Sequence, residues 1–289
     1  MNYAGLITFD IETCATRNLK ASAKIAQEAM DKRPAKNAAK AIQEAWDTSE
    51  ERQKRSEEAV SKTAVDPMLA ECLVVVVMAD VDFDGQHALD DKPVVYDCMT
   101  DGEREMLSVL ADDLREHAGP ETIWSGHNIA GFDLPVLLNR WLALGITPPM
   151  HFPQFMGRYW RGHVYDTMQR IPNNRGGFVS LDDACSMFGM EGKPTMWKGE
   201  PMTGARVGEA YESGEFKLIC DYCAKDVEVE RELYNRLTCN GTWGTYGVED
   251  DELAEEIAKL RASGLSESAK ALAIMSVLEG AGRIPRVAA

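Results

Sequence analysis

Apolar and polar positions along the chain alternate between two rhythms. Residues 3–10 (YAGLITFD) read as a strand, residues 70–81 (AECLVVVVMADV) as a well-buried one, and residues 93–98 (PVVYDC) as a third. Between the first two, residues 18–62 change character: Ala, Lys, Glu and Gln dominate and no strand pattern survives. That stretch predicts two helices parted near Pro34, which suits the first turn of the second. Few large apolar residues interrupt it, so it reads as an insertion projecting from the body.

Further on, Met106, Leu107, Leu110 and Leu114 give residues 102–117 helical spacing. A short strand (ETIWSG, 121–126), a helix from about Leu134 to Leu144 and a strand ending at Asp166 follow. Ser180 with Asp183 resembles a capping box opening another helix, and the last helix of the body runs from about Glu215 to Leu237. Residues 249–279 add two amphipathic helices, with Leu253, Ile257 and Leu260 on one face and Gly264 as a stop. The alternation implies an α/β domain with one mixed sheet between helices. There is no internal repeat. The expected organisation is a body over 1–240, interrupted by a helical insertion at 17–65, and a C-terminal helical extension over 241–289.

Composition narrows the class. An apolar fraction of 45% supports a sizeable core and excludes wholesale disorder. The longest apolar stretch, Leu73 to Ala79, is too short to cross a bilayer, and nothing basic precedes Arg17 as a signal peptide would require. Seven cysteines at irregular spacing do not form a disulfide framework, so a reducing cytoplasm is the expected location, with no membrane partner. The net charge of −16 opposes general affinity for nucleic acid. Its distribution is uneven: 11 basic and 8 acidic residues fall between Arg17 and Lys62, against 20 basic and 39 acidic elsewhere. A polyanion therefore needs local positive charge or metal ions where it binds.

The first strand supplies a reason for metal. In extended chain, residues i and i+2 share a face, so Asp10 and Glu12 of "LITFDIETC" project together. Two such charges repel unless a cation joins them, and oxygen-only ligands suit Mg²⁺ or Mn²⁺. The plainer alternative is that Asp10 ends the strand and Glu12 is solvated. Asp133, in "WSGHNIAGFDLPVLLNR" (124–140), opens a helix where a negative charge also suits the dipole. Tyr222 and Asp226, in "CDYCAKDVEVERELYNRL" (220–237), are one helical turn apart on one face.

In this order, the three stretches resemble the exonuclease motifs of the DEDD superfamily of 3′–5′ exonucleases. Asp10 and Glu12 match Asp-x-Glu; Asn128, Phe132 and Asp133 match the second motif; Tyr222 and Asp226 match Tyr-x(3)-Asp. The resemblance covers residues 3–15 and 66–237. It implies a ribonuclease H-like fold. A tyrosine in the third motif, with none of the five histidines near Asp226, places the resemblance in the tyrosine branch. The wording of the second and third motifs looks most like stand-alone phage and bacterial members related to family B polymerase proofreading domains.

What the resemblance implies is specific. Asp10 would bridge two divalent ions, Mg²⁺ or Mn²⁺; Glu12 and Asp226 would complete the first site and Asp133 would hold the second. Tyr222 would orient the attacking water as a neutral hydroxyl. Thr13, Asn128 and Phe132 would lie near the terminal nucleotide. The expected reaction is hydrolysis of DNA from single-stranded or frayed 3′ ends to nucleoside 5′-monophosphates. No polymerase-sized region follows in this sequence, so proofreading would need a DNA polymerase or another replication or repair protein as partner. The rivals are an exoribonuclease, since these motifs do not read the 2′-hydroxyl, and a noncatalytic scaffold.

Lesser signals each carry two readings. Phe152, Phe155, Tyr159 and Trp160 interleave with Arg158, Arg161, Arg170 and Arg175, as in a single-strand groove or as core aromatics beside solvated arginines. Asp166, three residues before Gln169, reads as a helix cap rather than a ligand. Cys220 and Cys223 read as buried thiols rather than a zinc pair. Lys193, Lys198 and Arg206 meet phosphate or water equally well. The insertion, with seven basic and three acidic residues from Arg17 to Trp46, is either a clamp guiding the strand or a solvated hairpin.

Overall fold

The computed structural model describes residues 4–32, 48–79, 92–153, 163–171, 177–190 and 194–238, together with Lys259, Leu260, Ser263, Ala269, Lys270, Ala273 and Val277. Five strands form one mixed sheet: β1 (Ala4–Cys14), β2 (Glu71–Ala79), β3 (Val94–Asp97), β4 (Ala118–Gly126) and β5 (Val164–Asp166). Their order is β3-β2-β1-β4-β5. The pairs β1–β2 and β2–β3 are antiparallel, and β1–β4 and β4–β5 are parallel. This is the α/β, ribonuclease H-like architecture expected from the sequence, with β1 at the centre.

Helices cover both faces. The helices α1 (Leu19–Asp31) and α2 (Ser49–Ser61) belong to the insertion; α3 (Glu103–His117), α4 (Asp133–Ala143), α5 (Thr167–Arg170), α6 (Leu181–Met187), α7 (Val207–Glu212) and α8 (Phe216–Thr238) follow. A two-stranded ribbon, β6 (Met196–Trp197) with β7 (Glu200–Pro201), precedes α7. On one face Ile7 and Phe9 of β1 meet Val75, Val77, Trp124, Leu110, Leu114, Leu137 and Phe152. The other face of β1 turns to α8, whose apolar stripe of Ile219, Cys223, Val227 and Leu233 is fully buried. Coverage on both sides is why all nine residues of β2 are buried and its sequence runs apolar without alternation.

The central strand runs four residues beyond the expected end at Asp10. Both acidic residues are paired inside the sheet, Asp10 with Val76 and Glu12 with Val74, so Asp10 does not terminate the strand. A register shift follows immediately, between Glu12 and Thr13. The helices α3, α4 and α8 lie within a residue of their expected bounds, α7 was not expected, and Ser180 caps α6 by accepting the Asp183 N–H at 3.1 Å.

The insertion leaves and re-enters at the site's own edge. No residue of α1 is buried. Its root is stitched to the sheet: Thr13 Oγ1 donates to the Ala64 carbonyl at 2.6 Å, and the Thr16 N–H donates to Thr63 Oγ1 at 2.9 Å. Arg17 then pairs with Glu71 at 2.7 Å. Pro34 and the start of the expected second helix lie outside the described residues, as do nearly all of the C-terminal helices expected at 249–279.

Candidate active site

Three separate elements carry the acidic residues to one place. Along β1, Thr8, Asp10 and Glu12 share the face toward α8. The Arg231 Nε donates to Thr8 Oγ1 at 2.8 Å, and the Cys223 thiol lies 3.6 Å from Asp10 Oδ2. Carboxylate oxygens of Asp10 and Glu12 and the Cys223 Sγ lie within 4.8 Å of one another. The i, i+2 geometry read from "DIE" is therefore realised in the folded chain.

Asp133 arrives from the other side, through the loop 127–132 between β4 and α4. That loop is built tightly. Asn128 adopts φ +63°, which Asn tolerates better than most residues. Its carbonyl accepts the N–H groups of Gly131 and Phe132 at 2.9 and 3.0 Å. A Cβ on Gly131 would stand 2.5 Å from Asn128 Oδ1, and one on Gly126 would stand 2.9 Å from the Phe9 carbonyl. Asp166, 1% exposed at the end of β5, accepts the Asn128 and Ala130 N–H groups at 3.1 and 3.2 Å and the Gln169 N–H at 3.3 Å. It caps α5, as its spacing to Gln169 predicts, and shapes the loop that ends in Asp133.

At the start of α4, Asp133 is 3% exposed and its Oδ1 has no hydrogen-bond partner. From α8 come Asp226 and, one turn before it, Tyr222, whose hydroxyl is near enough to lower the Asp226 carboxyl.

Electrostatics tie the four carboxylates into one unit. Asp10 is pushed well above the usual carboxylate range, first by burial and then by Glu230, Asp133, Glu12 and Asp226. Burial also raises Glu12, with Asp226 and Asp133 adding to it. Asp133 is pushed up to about 7, chiefly by burial, against the lowering pull of its own and the Ile11 backbone N–H groups. Asp226 rises to about 6, again mainly by burial, which the Tyr222 hydroxyl partly offsets. Burial and the neighbouring Asp226, Glu12 and Asp10 keep Tyr222 a neutral hydroxyl.

A buried group of acids that raise one another is relieved by a cation. Hard oxygen donors, one of them with an unpartnered buried oxygen, fit a divalent ion such as Mg²⁺ or Mn²⁺. Among the described residues, Asp10 and Glu12 with Cys223 present ligand atoms close enough to share an ion, and Asp133 and Asp226 are the acids that raise both carboxylates from beside them. Cys223, fully buried, has its thiol raised well above the ordinary range by burial first and by Asp10 next, so it stays protonated beside them.

The structure thus brings together Asp10, Glu12, Asp133, Tyr222 and Asp226. Asn128 and Phe132 lie on the loop that leads into Asp133, and Phe132 packs against the main core. Thr13 is 8% exposed and its hydroxyl is engaged with Ala64. Glu230, at 2% exposure one turn beyond Asp226, was not singled out from the sequence. The signal was there: it occupies a position of the buried α8 stripe that Val227 and Leu233 flank.

The lesser signals resolve unevenly. Phe152 sits in the core, edge-on to Trp124 and Trp141 at 5.2 and 4.8 Å, while Arg170 lies 5.2 Å over the Tyr165 ring. Phe155, Arg158, Tyr159, Trp160, Arg161, Arg175 and Lys193 lie outside the described residues. Lys198 stacks on Trp197 and pairs with Glu209 at 3.0 Å; Arg206 donates to the Trp197 and Pro201 carbonyls at 3.2 and 3.0 Å. Arg206 thus joins the two strands of the ribbon, and Lys198 ties the ribbon to α7.

A family model described as "Predicted 3'-5' exonuclease related to the exonuclease domain of PolB" matches residues 70–271. The match takes in Asn128, Phe132, Asp133, Tyr222 and Asp226. It begins after β1, so Asp10 and Glu12 join the matched region through the fold. No curated protein matches the chain.

Proposed function

The chain belongs to the family of predicted 3′–5′ exonucleases related to the exonuclease domain of PolB, and from that premise we propose that it is a metal-dependent 3′–5′ exonuclease of the tyrosine (DEDDy) branch. Its substrate is DNA, taken at single-stranded or frayed 3′ ends, and its products are nucleoside 5′-monophosphates. One observation carries the reading: Asp10 and Glu12 from β1, Asp133 from α4, and Tyr222 and Asp226 from α8 gather in one electrostatically linked acidic cluster, with Glu12 and Asp133 buried.

Asp10, Glu12, Asp133 and Asp226 would hold two divalent ions, Mg²⁺ or Mn²⁺. Bound there, the ions would supply activation of water and charge stabilisation on the attacking and leaving oxygens. Tyr222, one turn from Asp226, keeps its proton and orients the nucleophilic water by hydrogen bonding. Asn128, Phe132 and the backbone at Thr13 line the approach of the terminal nucleotide; the Thr13 hydroxyl is already committed to Ala64. On a chain of net charge −16, the site's cations also offset repulsion of the phosphate backbone. A polymerase or another replication or repair protein in the cytoplasm is the partner this reading calls for.

The test is a denaturing gel of 5′-labelled single-stranded DNA and RNA with Mg²⁺ or Mn²⁺, run for wild type and Asp10→Ala with a chelator control. A descending DNA ladder, lost in the variant and with chelator, is the expected result. A stronger RNA ladder would reassign the substrate, and no ladder on either would point to a binding scaffold.

A further inference from the structure

We propose that Glu230 is a positioning residue of the site: by accepting the His127 N–H it fixes the segment delivering Asp133 against the helix delivering Asp226. The inference rests on the metal-site reading above and deepens it.

Glu230 Oε1 accepts that N–H at 2.9 Å, across 103 residues of chain. His127 is the first residue after β4 and the first of the loop that ends at Asp133, while Glu230 lies one turn beyond Asp226 on α8. A single bond therefore spans the second and third acidic stretches. The donor's direction is itself set. The His127 ring lies 3.0 Å from Thr167 Oγ1 and 2.7 Å from the Val179 carbonyl, so the residue is held on both sides.

Packing alone does not account for a glutamate here. Its neighbours on the α8 stripe are Val227, Leu233 and Tyr234, and an apolar side chain would serve that face without the cost of burying a carboxyl group. The second oxygen, Oε2, has no hydrogen-bond partner although the residue is 2% exposed. Among charged neighbours Asp10 feels Glu230 most, and Glu230 in turn feels Asp133 most, which places the carboxyl beside both. Losing the bond frees the loop to drift from α8 and changes the spacing of Asp133 from Asp226. Outer-shell partners of that kind set metal affinity by about 10–100-fold.

An amide offers the same acceptor at the same length, so Glu230→Gln keeps the bond and Glu230→Met removes it at similar volume. Mn²⁺ affinity of the full chain without substrate is measured by isothermal titration, beside the melting temperature in chelator. Met should weaken Mn²⁺ binding about tenfold or more, and Gln should stay close to wild type. Met binding like wild type overturns the inference, as does Gln losing as much as Met, which would make the carboxylate's charge the operative feature. If the Met variant fails to fold, amide exchange decides: a His127 N–H protected in both wild type and Gln supports the bond, and rapid exchange in the folded wild type overturns it. A wild type that takes up no Mn²⁺ overturns the metal-site reading and this inference together.

Discussion

Tyr222 enters the acidic cluster with a hydroxyl rather than a carboxylate, and that difference separates orientation from charge. Tyr222→Phe deletes the hydroxyl and leaves the four acids in place. Hydrolysis should slow by about 10²-fold, the cost of a misplaced nucleophile, while the metal-induced rise in melting temperature persists; single-turnover rates against melting curves check both halves. Asp133 gives a test in pH. Its folded value of about 7 stands above the ordinary 3.8. Without metal, the folded chain therefore binds more protons than the unfolded one between those values, and stability falls as pH rises through the window. Asp133→Asn should remove that contribution, raising the melting temperature in chelator by a few degrees at pH 8 and little at pH 4. A variant with an unchanged pH slope would contradict it. At this scale the sequence is informative where side-chain direction follows from local geometry, as for Asp10 with Glu12 and Tyr222 with Asp226. It marks Glu230 only as an acid on a buried stripe; its meeting with His127 depends on how a helix crosses a sheet.

At the scale of elements, the site depends on how closely β4 approaches β1. The Cβ missing from Gly126 would press on the Phe9 carbonyl, one residue before Asp10, and on the Ile129 side chain at 3.0 Å. Gly126→Ala should cost about 1–3 kcal/mol of stability, the usual penalty of overpacking, with a larger loss of activity than that alone explains because β1 shifts at Asp10. Denaturant midpoints beside turnover at low temperature would show it; a fully stable, fully active variant would mean that the approach is looser than the geometry indicates. β2 was legible because its apolar run is long and covered on both faces, and the long helices because their buried residues recur at helical spacing. The extension of β1 past Asp10 was not, because antiparallel pairing with β2 overrides two charges that look, in isolation, like a strand's end.

For the whole molecule, the raised carboxylates predict a chain made more stable by divalent ions. At 100 times its dissociation constant a ligand adds about 2.7 kcal/mol to the folded state, so Mg²⁺ or Mn²⁺ should raise the melting temperature of wild type and chelator should reverse it. Asp10→Ala should lose most of that response and melt no lower in chelator, since a buried repulsion is gone. No response to either ion in wild type would count against the cluster as a metal site. The ribonuclease H-like body could be read from the order of strands, helices and motifs. The relation of the insertion to the site could not, since its anchoring bonds, from Thr13, Thr16 and Arg17, join residues 47 to 54 positions apart. Those bonds have a consequence for how such a chain can change. Cys14 and Glu71 are paired neighbours on adjacent strands, so whatever connects them departs and returns across one strand spacing of about 5 Å. The connection is a splice point: segments of very different length can be exchanged there without rethreading the sheet, and each newcomer is delivered to the rim of the same acidic centre. Specificity could thus evolve, or be engineered, by trading one hairpin for another while the acidic residues of β1 stay where they are.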